Sequence, residues 1–229
     1  MEMIPPKEKE DALEQTEKKV AQALLKIGAV GFRPDNPIQF KSGIWSPVYV
    51  DNRLLTSNPN EWGEVIKGFQ NLIKEKALSF DMIAGIESAG ISHSAVLGYE
   101  EKKPMVYVKK AVKEHGTKKR IEGGKVEGKK VLLLEDLVST GGSSISGVNV
   151  LREEGAQVDD CIVIVSYGMK KATEKFDKEK VNLHTLTSFP IILEEAVSMG
   201  KISDEVSGTV KDWLADPDGW AGRYGFDKK

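Results

Sequence analysis

The chain has 229 residues, 40% of them hydrophobic and 30% charged, the make-up of a soluble globular protein long enough to bury a real core. Lys and Arg number 33 against 35 Asp and Glu, a net charge of -2, which argues against a general nucleic-acid binder. No apolar run approaches the roughly 20 residues of a membrane span, the charged opening residues lack the apolar core of a secretory signal, and a single cysteine excludes a disulfide framework. The expected location is the cytoplasm, with neither nucleic acid nor membrane as partner.

Residues 1–10 read as a flexible N-terminal arm. From Asp11, the spacing of Leu13, Val20, Leu24 and Ile27 predicts an amphipathic helix closed by Gly28. The run from Phe40 to Arg53 predicts a hairpin, with a Ser42-Gly43 turn, Pro47 at a strand start and alternating Val48 and Val50. On composition alone Lys41 is a solvated turn lysine. Asn58-Pro59-Asn60-Glu61 has the spacing of a capping box with Pro at the first helical position. Trp62, Val65, Ile66, Phe69, Leu72 and Ile73 then supply a broad core-facing stripe. From Phe80 onward strands and helices alternate: strand at 81–86, helix at 88–101, strands at 105–109 and from 131, helix to Gly155, strand at 160–167, Lys-rich helix at 170–180, strand at 181–186. Such alternation predicts a parallel sheet with helices on both faces. Ligands collect beyond the C-terminal strand ends of such sheets, which singles out the loops at 87–90, 109–120 and 139–144. Cys161, inside an apolar run, reads as a buried small hydrophobe. The tail from 189 predicts two helices ending near Pro217, with Trp213 and Trp220 as packing anchors.

The stretch from Val131 to Ser144 carries the most chemistry. Four apolar residues form a strand buried on both faces, and Glu135 and Asp136 are expected where it emerges. Gly141 and Gly142 let successive backbone N–H groups curl into one concavity, at the N-terminus of the helix that follows. Ser139, Thr140, Ser143 and Ser144 add hydroxyl donors, completing a phosphate cradle that needs no cationic side chain. Two carboxylates beside a phosphate would repel it unless they hold sugar hydroxyls or a magnesium ion. A ribose 5-phosphate meets both demands. A plain capped turn with two solvated acids would explain Gly-Gly alone, but not strand, acids, hydroxyls and glycines in one contiguous order. Neither G-x-x-x-x-G-K-[ST] nor G-x-G-x-x-G occurs at this turn.

A second charged stretch holds Lys109, Lys110, Lys113, His115, Lys118, Lys119 and Arg120 around Gly116. Basic runs are commonly solvated loops, yet a long polar loop at a strand end is also the form of a lid. Over a departing pyrophosphate its donors would stabilise developing charge. His115 could donate a proton there, since imidazole titrates near neutrality. His93 and His184 lack such company and read as structural.

The 131–144 stretch resembles the signature of the type I phosphoribosyltransferases. Together with Lys-Lys-x-x-Lys-x-His-Gly from Lys109 and Phe-Lys-Ser-Gly-x-x-Ser-Pro-x-Tyr from Phe40, it is similar to the orotate phosphoribosyltransferases over about residues 25–190. The resemblance implies an α/β type I phosphoribosyltransferase fold, a central parallel sheet flanked by helices with an N-terminal hood. It implies a domain at 11–188 and a helical extension of it at 189–229. The implied activity joins orotate to phosphoribosyl pyrophosphate (PRPP) in pyrimidine synthesis, with Mg2+ as cofactor and a homodimer with shared active sites as the working form.

By matched position, Lys113 and His115 take the catalytic places of the lid, and Lys109 and Lys110 bind substrate beside them. Lys41 falls near base and pyrophosphate, Tyr49 and Val50 lie in the hood strand over the base, and 85–90 form the pyrophosphate loop. Glu135 and Asp136 bind the ribose hydroxyls; Leu137, Val138, Ser139, Thr140, Gly141, Gly142 and Ser143 follow as the phosphoribosyl loop. No protein residue is assigned as a metal ligand. Two departures stand out. Ala89 replaces a lysine that some relatives carry in the pyrophosphate loop. Tyr167 and Gly168 stand where many relatives have an arginine for the orotate carboxylate, which leaves Arg53 and Lys170 as candidates. The rival readings are a phosphoribosyltransferase for another base, and a PRPP-sensing regulator without turnover.

Overall fold

The computed structural model describes residues 6–110 and 119–227, with side chains from Glu14 onward. Helix α1 (Pro6–Lys26) begins five residues earlier than its apolar pattern predicts. Proline is pre-organised for a first helical turn, and the Lys and Glu residues behind it are good helix formers. Its buried stripe of Val20, Ala21, Leu24 and Leu25 packs into the main core, and Gly28 stops it in a left-handed conformation at φ +71°.

The hood is built from β1 (Val30–Phe32), β2 (Ile38–Gln39), β3 (Trp45–Ser46) and β4 (Val48–Val50). A single hairpin was expected over 40–53, but the chain makes two separate pairs. β2 pairs β3 around the 40–44 turn, while β4 leaves to pair antiparallel with β1. The break falls at Pro47, which has no N–H to donate. There the Ser46 hydroxyl donates to the Val48 carbonyl at 2.8 Å and accepts from the Val48 N–H at 3.2 Å.

A short 3-10 helix (Asn52–Ser57) leads into α2 (Pro59–Glu75). The expected capping box does not form. Asn58 is the N-cap residue, but its side-chain amide donates to the Leu54 carbonyl, and Glu61 is taken by the Lys26 amino group. Tertiary partners have won over the local pattern.

Alternation then runs as predicted except for one added edge strand, β7: β5 (Met82–Ile86), α3 (Ala89–Glu100), β6 (Met105–Val108), β7 (Ile121–Glu122), β8 (Val131–Val138), α4 (Gly142–Glu153), β9 (Asp160–Ser166), α5 (Lys170–Lys178) and β10 (Asn182–Ser188). They form one sheet in the order β10-β9-β8-β5-β6-β7, parallel except for the edge strand β7. The connection after β5 runs toward β6, and the one after β8 runs the other way toward β9. Between β5 and β8 the winding therefore reverses, and a crevice opens at their C-terminal ends.

Strand β8 continues past its apolar run. Pairing with β5 ends at Gly85–Leu134, but pairing with β9 continues to Val138–Ser166. Glu135 and Asp136 therefore sit inside the strand rather than at its edge.

One core cluster joins the sheet to α1, α2, the hood and the tail; the other lies beneath α4 and α5. Cys161 is fully buried in the second. The tail forms α6 (Phe189–Ser198), α7 (Asp204–Ala215) and a third short helix, α8 (Trp220–Arg223), beyond the two predicted. Trp213 and Trp220 are both fully buried. Among the described residues no helix is long and apolar enough to cross a membrane.

Candidate active site

Two helix N-termini meet at the crevice. Helix α4 starts at Gly142, directly after Gly141 at φ +72°. A Cβ on Gly141 would stand 3.2 Å from the Phe176 ring, so the loop lies against α5 and glycine suits both its space and its φ. Helix α3 starts at Ala89 in the loop after β5. A Cβ on Gly90 would come within 2.9 Å of the Leu134 carbonyl, and one on Gly85 within 2.6 Å of the Gly90 carbonyl. These glycines bring the 87–90 turn against β8, beside the acid pair. First-turn N–H groups have no partner within their own helix, and the helix dipole favours anions there. The fold thus sets two anion-binding ends around two carboxylates.

The acids differ. Glu135 is buried, and Ser143 Oγ donates to its Oε2 at 2.9 Å. Ser144 Oγ, fully buried, lies 3.5 Å from the same oxygen. The sequence placed both hydroxyls on the phosphate side of the cradle. In the structure they face Glu135 from the first turn of α4, a relation that loop spacing alone does not encode. Burial, with Asp136 alongside, pushes the Glu135 carboxyl up to about 8. Asp136 is half-buried. Burial raises its carboxyl too, against the pull of its bond with Glu135 and of the Lys110 and Arg53 charges.

The rest of the 137–143 stretch is held by packing and backbone bonds. Leu137 packs on the main core, Val138 is buried in the second, and the Val138 carbonyl accepts from the Tyr167 N–H at 3.0 Å. Ser139 and Thr140 stay partly open, and the Thr140 carbonyl accepts from Lys175 Nζ at 2.9 Å. Gly142 and Ser143 are exposed.

Across the crevice, the strand ending at Val108 fixes the base of the basic loop. Lys109 N–H donates to the Arg120 carbonyl at 2.8 Å, and Arg120 Nε returns a bond to the Lys109 carbonyl at 3.0 Å. Arg120 Nη2 also reaches Ser146 Oγ on α4 at 3.1 Å. Lys109 is buried with its amino group 2.8 Å from Glu122, and the Lys110 N–H donates to Glu87 Oε2 at 2.9 Å. A cavity of about 80 Å³ is lined by Lys109, Lys110, Arg120, Ser143 and Ser146. Lys113 and His115 lie outside the described residues.

On the hood, Lys41 is exposed in the β2–β3 turn. Tyr49 is half-buried and its hydroxyl accepts from Arg53 Nη2 at 3.0 Å, while Val50 is buried in the core. Arg53 is clamped by Asp51, at 2.6 Å from Nε and 2.9 Å from Nη2. Lys170, the other candidate for the carboxylate, is almost wholly exposed and stands 3.6 Å from Glu174. Tyr167 is buried in an aromatic cluster with Phe40, Phe189 and Trp213. His93, read from the sequence as structural, is buried, and its Nδ1 accepts from Trp62 Nε1 at 2.9 Å.

Two site residues escaped the sequence reading. Asn52 is fully buried and its amide donates to the Asp136 carbonyl at 2.7 Å. Arg120 ties the basic loop to α4. The sequence offered no signal for Asn52, whereas Arg120 was visible only as one more charge in a basic run.

Residues 53–195 match the phosphoribosyl transferase domain model. Proteins named orotate phosphoribosyltransferase from Staphylococcus aureus (strain Mu50) and Coxiella burnetii are 41% and 39% identical. The first match covers 86% of this chain and 97% of the relative, the second 88% and 96%. The crystal structure of orotate phosphoribosyltransferase from Aeropyrum pernix superposes with a TM-score of 0.70 at 27% identity, covering 80% of this chain and 99% of that one. The structure of Leishmania donovani UMP synthase gives a TM-score of 0.76 at 25% identity; the match covers 87% of this chain but only 42% of that longer protein.

Proposed function

The chain belongs to the orotate phosphoribosyltransferases, and from that premise we propose how its residues divide the work. The enzyme transfers the phosphoribosyl group of PRPP to orotate, giving orotidine 5′-monophosphate and pyrophosphate. The observation that carries the division is the pair of helix N-termini flanking Glu135 and Asp136 at the winding reversal. The α4 end takes the 5-phosphate, and the α3 end takes the pyrophosphate. Asp136, the more open acid, accepts from the ribose hydroxyls, with Glu135 beneath it.

Ala89 offers no cation to the leaving group, so the α3 backbone and the basic loop carry that task, with Lys109, Lys110, Lys113 and His115 as the supplied charges. Two adjacent carboxylates also suit magnesium, which is commonly held by one or two carboxylates together with substrate phosphates. Asp136 is the residue that would share it, and the ion would neutralise the pyrophosphate. Little covalent chemistry then falls to the protein; positioning and fixed charge supply the rate. The proposed working form is a cytoplasmic homodimer whose basic loops serve each other's sites.

A spectrophotometric assay offering orotate, uracil, hypoxanthine and adenine separately tests the reading. Orotate alone should turn over. Asp136→Asn keeps the shape but loses a charged acceptor, a change of roughly 1.5–3 kcal/mol, so its Michaelis constant for PRPP should rise more than tenfold. An unchanged constant would remove Asp136 from the ribose site.

A further inference from the structure

We infer that the C-terminal helix α7 braces the hood, and that Trp213 is a positioning residue for Lys41. The inference rests on the reading of Lys41 as a residue of the active site. The β2–β3 hairpin that carries Lys41 has two residues in each strand, far too little to hold its shape alone in water. Its turn is internally tight. Phe40 N–H donates to the Ile44 carbonyl at 2.8 Å, Gly43 N–H to the Phe40 carbonyl at 2.9 Å, and the Gln39 amide to the Gly43 carbonyl at 3.0 Å. What must be supplied from outside is an anchor that holds this small hairpin against the sheet.

The tail supplies it. Trp213 is fully buried, and its Nε1–H donates to the Trp45 carbonyl at 2.8 Å, across 168 residues of sequence. Its ring meets Phe40 edge-on, with centroids 6.1 Å apart, and Tyr167 edge-on at 5.3 Å. Tyr167 in turn packs on Phe40 at 5.6 Å. Phe40 is the residue before Lys41. The hairpin is therefore fixed at β3 by a hydrogen bond and at the turn by two rings, one of which belongs to the end of β9. Tyr167 forms one wall of the brace, which joins the end of strand β9 to the tail and the hairpin.

The test is a double-mutant cycle. Trp213→Phe keeps a ring but removes the hydrogen bond to Trp45, and Lys41→Ala removes the positioned group. Steady-state constants for orotate and PRPP are measured for both single variants and the double. Lys41→Ala should impair kcat/KM. Trp213→Phe should lower it roughly three- to tenfold, the size of one net hydrogen bond, and should have less than a twofold effect once Lys41 is Ala, because contacts in series are not additive. Phe69→Leu, a core change in α2 outside the ring contacts and hydrogen bond of the brace, serves as the destabilised control and should lower the melting temperature with Michaelis constants unchanged. Impaired Lys41→Ala with unaltered Trp213→Phe overturns the brace alone. An equal Trp213→Phe effect in both backgrounds, or a like effect from Phe69→Leu, reduces it to general stability and also overturns it. Wild-type kinetics in Lys41→Ala would instead sink the reading of Lys41 itself, and the inference with it.

Discussion

The side-chain amide of Asn52 donates to the backbone carbonyl of Asp136 at 2.7 Å, so a hood residue holds the strand segment that carries both site acids. Asn52 opens the 3-10 helix directly behind β4, and β4 also bears Tyr49. The bond therefore couples the hood strand that bears Tyr49 to the central strand that bears Glu135 and Asp136. Replacing Asn52 by Ala leaves a partly buried carbonyl without its side-chain donor, at a cost of about 1–3 kcal/mol. Asn52→Ala should lower the melting temperature by several degrees and raise the Michaelis constant for PRPP severalfold. Wild-type constants in a folded variant would mean that the sheet alone holds Asp136.

Glu135 makes the free protein's stability depend on pH. Its carboxyl is raised to about 8 in the folded state from an ordinary 4.5, chiefly by burial. Between those values the native state holds a proton that the unfolded chain has released. The stabilisation is fully present below about 4.5 and is lost as pH rises through about 8. Glu135→Gln mimics the protonated form and keeps an acceptor for Ser143. Its melting temperature should fall less than that of wild type between pH 5 and 9, and exceed it at pH 9. Parallel curves for the two proteins would show that Glu135 titrates normally.

What was legible in the sequence is what is encoded locally. Four apolar residues, two acids and Gly141-Gly142 specify a buried strand, a turn and a helix start without help from distant residues, and β8 and α4 follow. The capping box at Asn58 failed because Lys26, from another helix, takes Glu61. The hood hairpin divided because β4 finds β1, which no local pattern announces. Ser143 and Ser144 read as phosphate donors until the first turn of α4 is seen lying over Glu135. Asn52 was silent for the same reason: a buried amide has meaning only through the carbonyl it meets 84 residues away.

The orotate carboxylate needs a cation or several donors. Arg53 is held by Asp51 and the Tyr49 hydroxyl, and its charge is felt at Asp136. Lys170 is almost wholly exposed. Arg53→Ala should raise the Michaelis constant for orotate by about tenfold or more, the value of a charged hydrogen bond, while leaving that for PRPP within about threefold. Lys170→Ala should change neither by more than about twofold. The reverse pattern would transfer the role to Lys170.

The shared-site proposal has a sharper test. Residues 109 and 120 are bonded to each other, so the basic loop leaves and returns at one point, beside a crevice already furnished with acids and helix ends. In a two-fold dimer such a loop can serve a neighbour's ligand while an interface is buried. Lys113→Ala should disable the loop, and Asp136→Ala the ribose site, so either homodimer should be nearly inactive. Unfolding the two together in equal amounts and refolding them makes half of the dimers mixed. If each loop serves its neighbour, a mixed dimer has one site with both lesions and one with neither. Random two-fold assembly then restores about a quarter of wild-type activity. If each loop serves its own subunit, every site in every dimer keeps one lesion and nothing is restored. Once mass spectrometry has verified that mixed dimers form, the absence of recovery would place each loop at its own site.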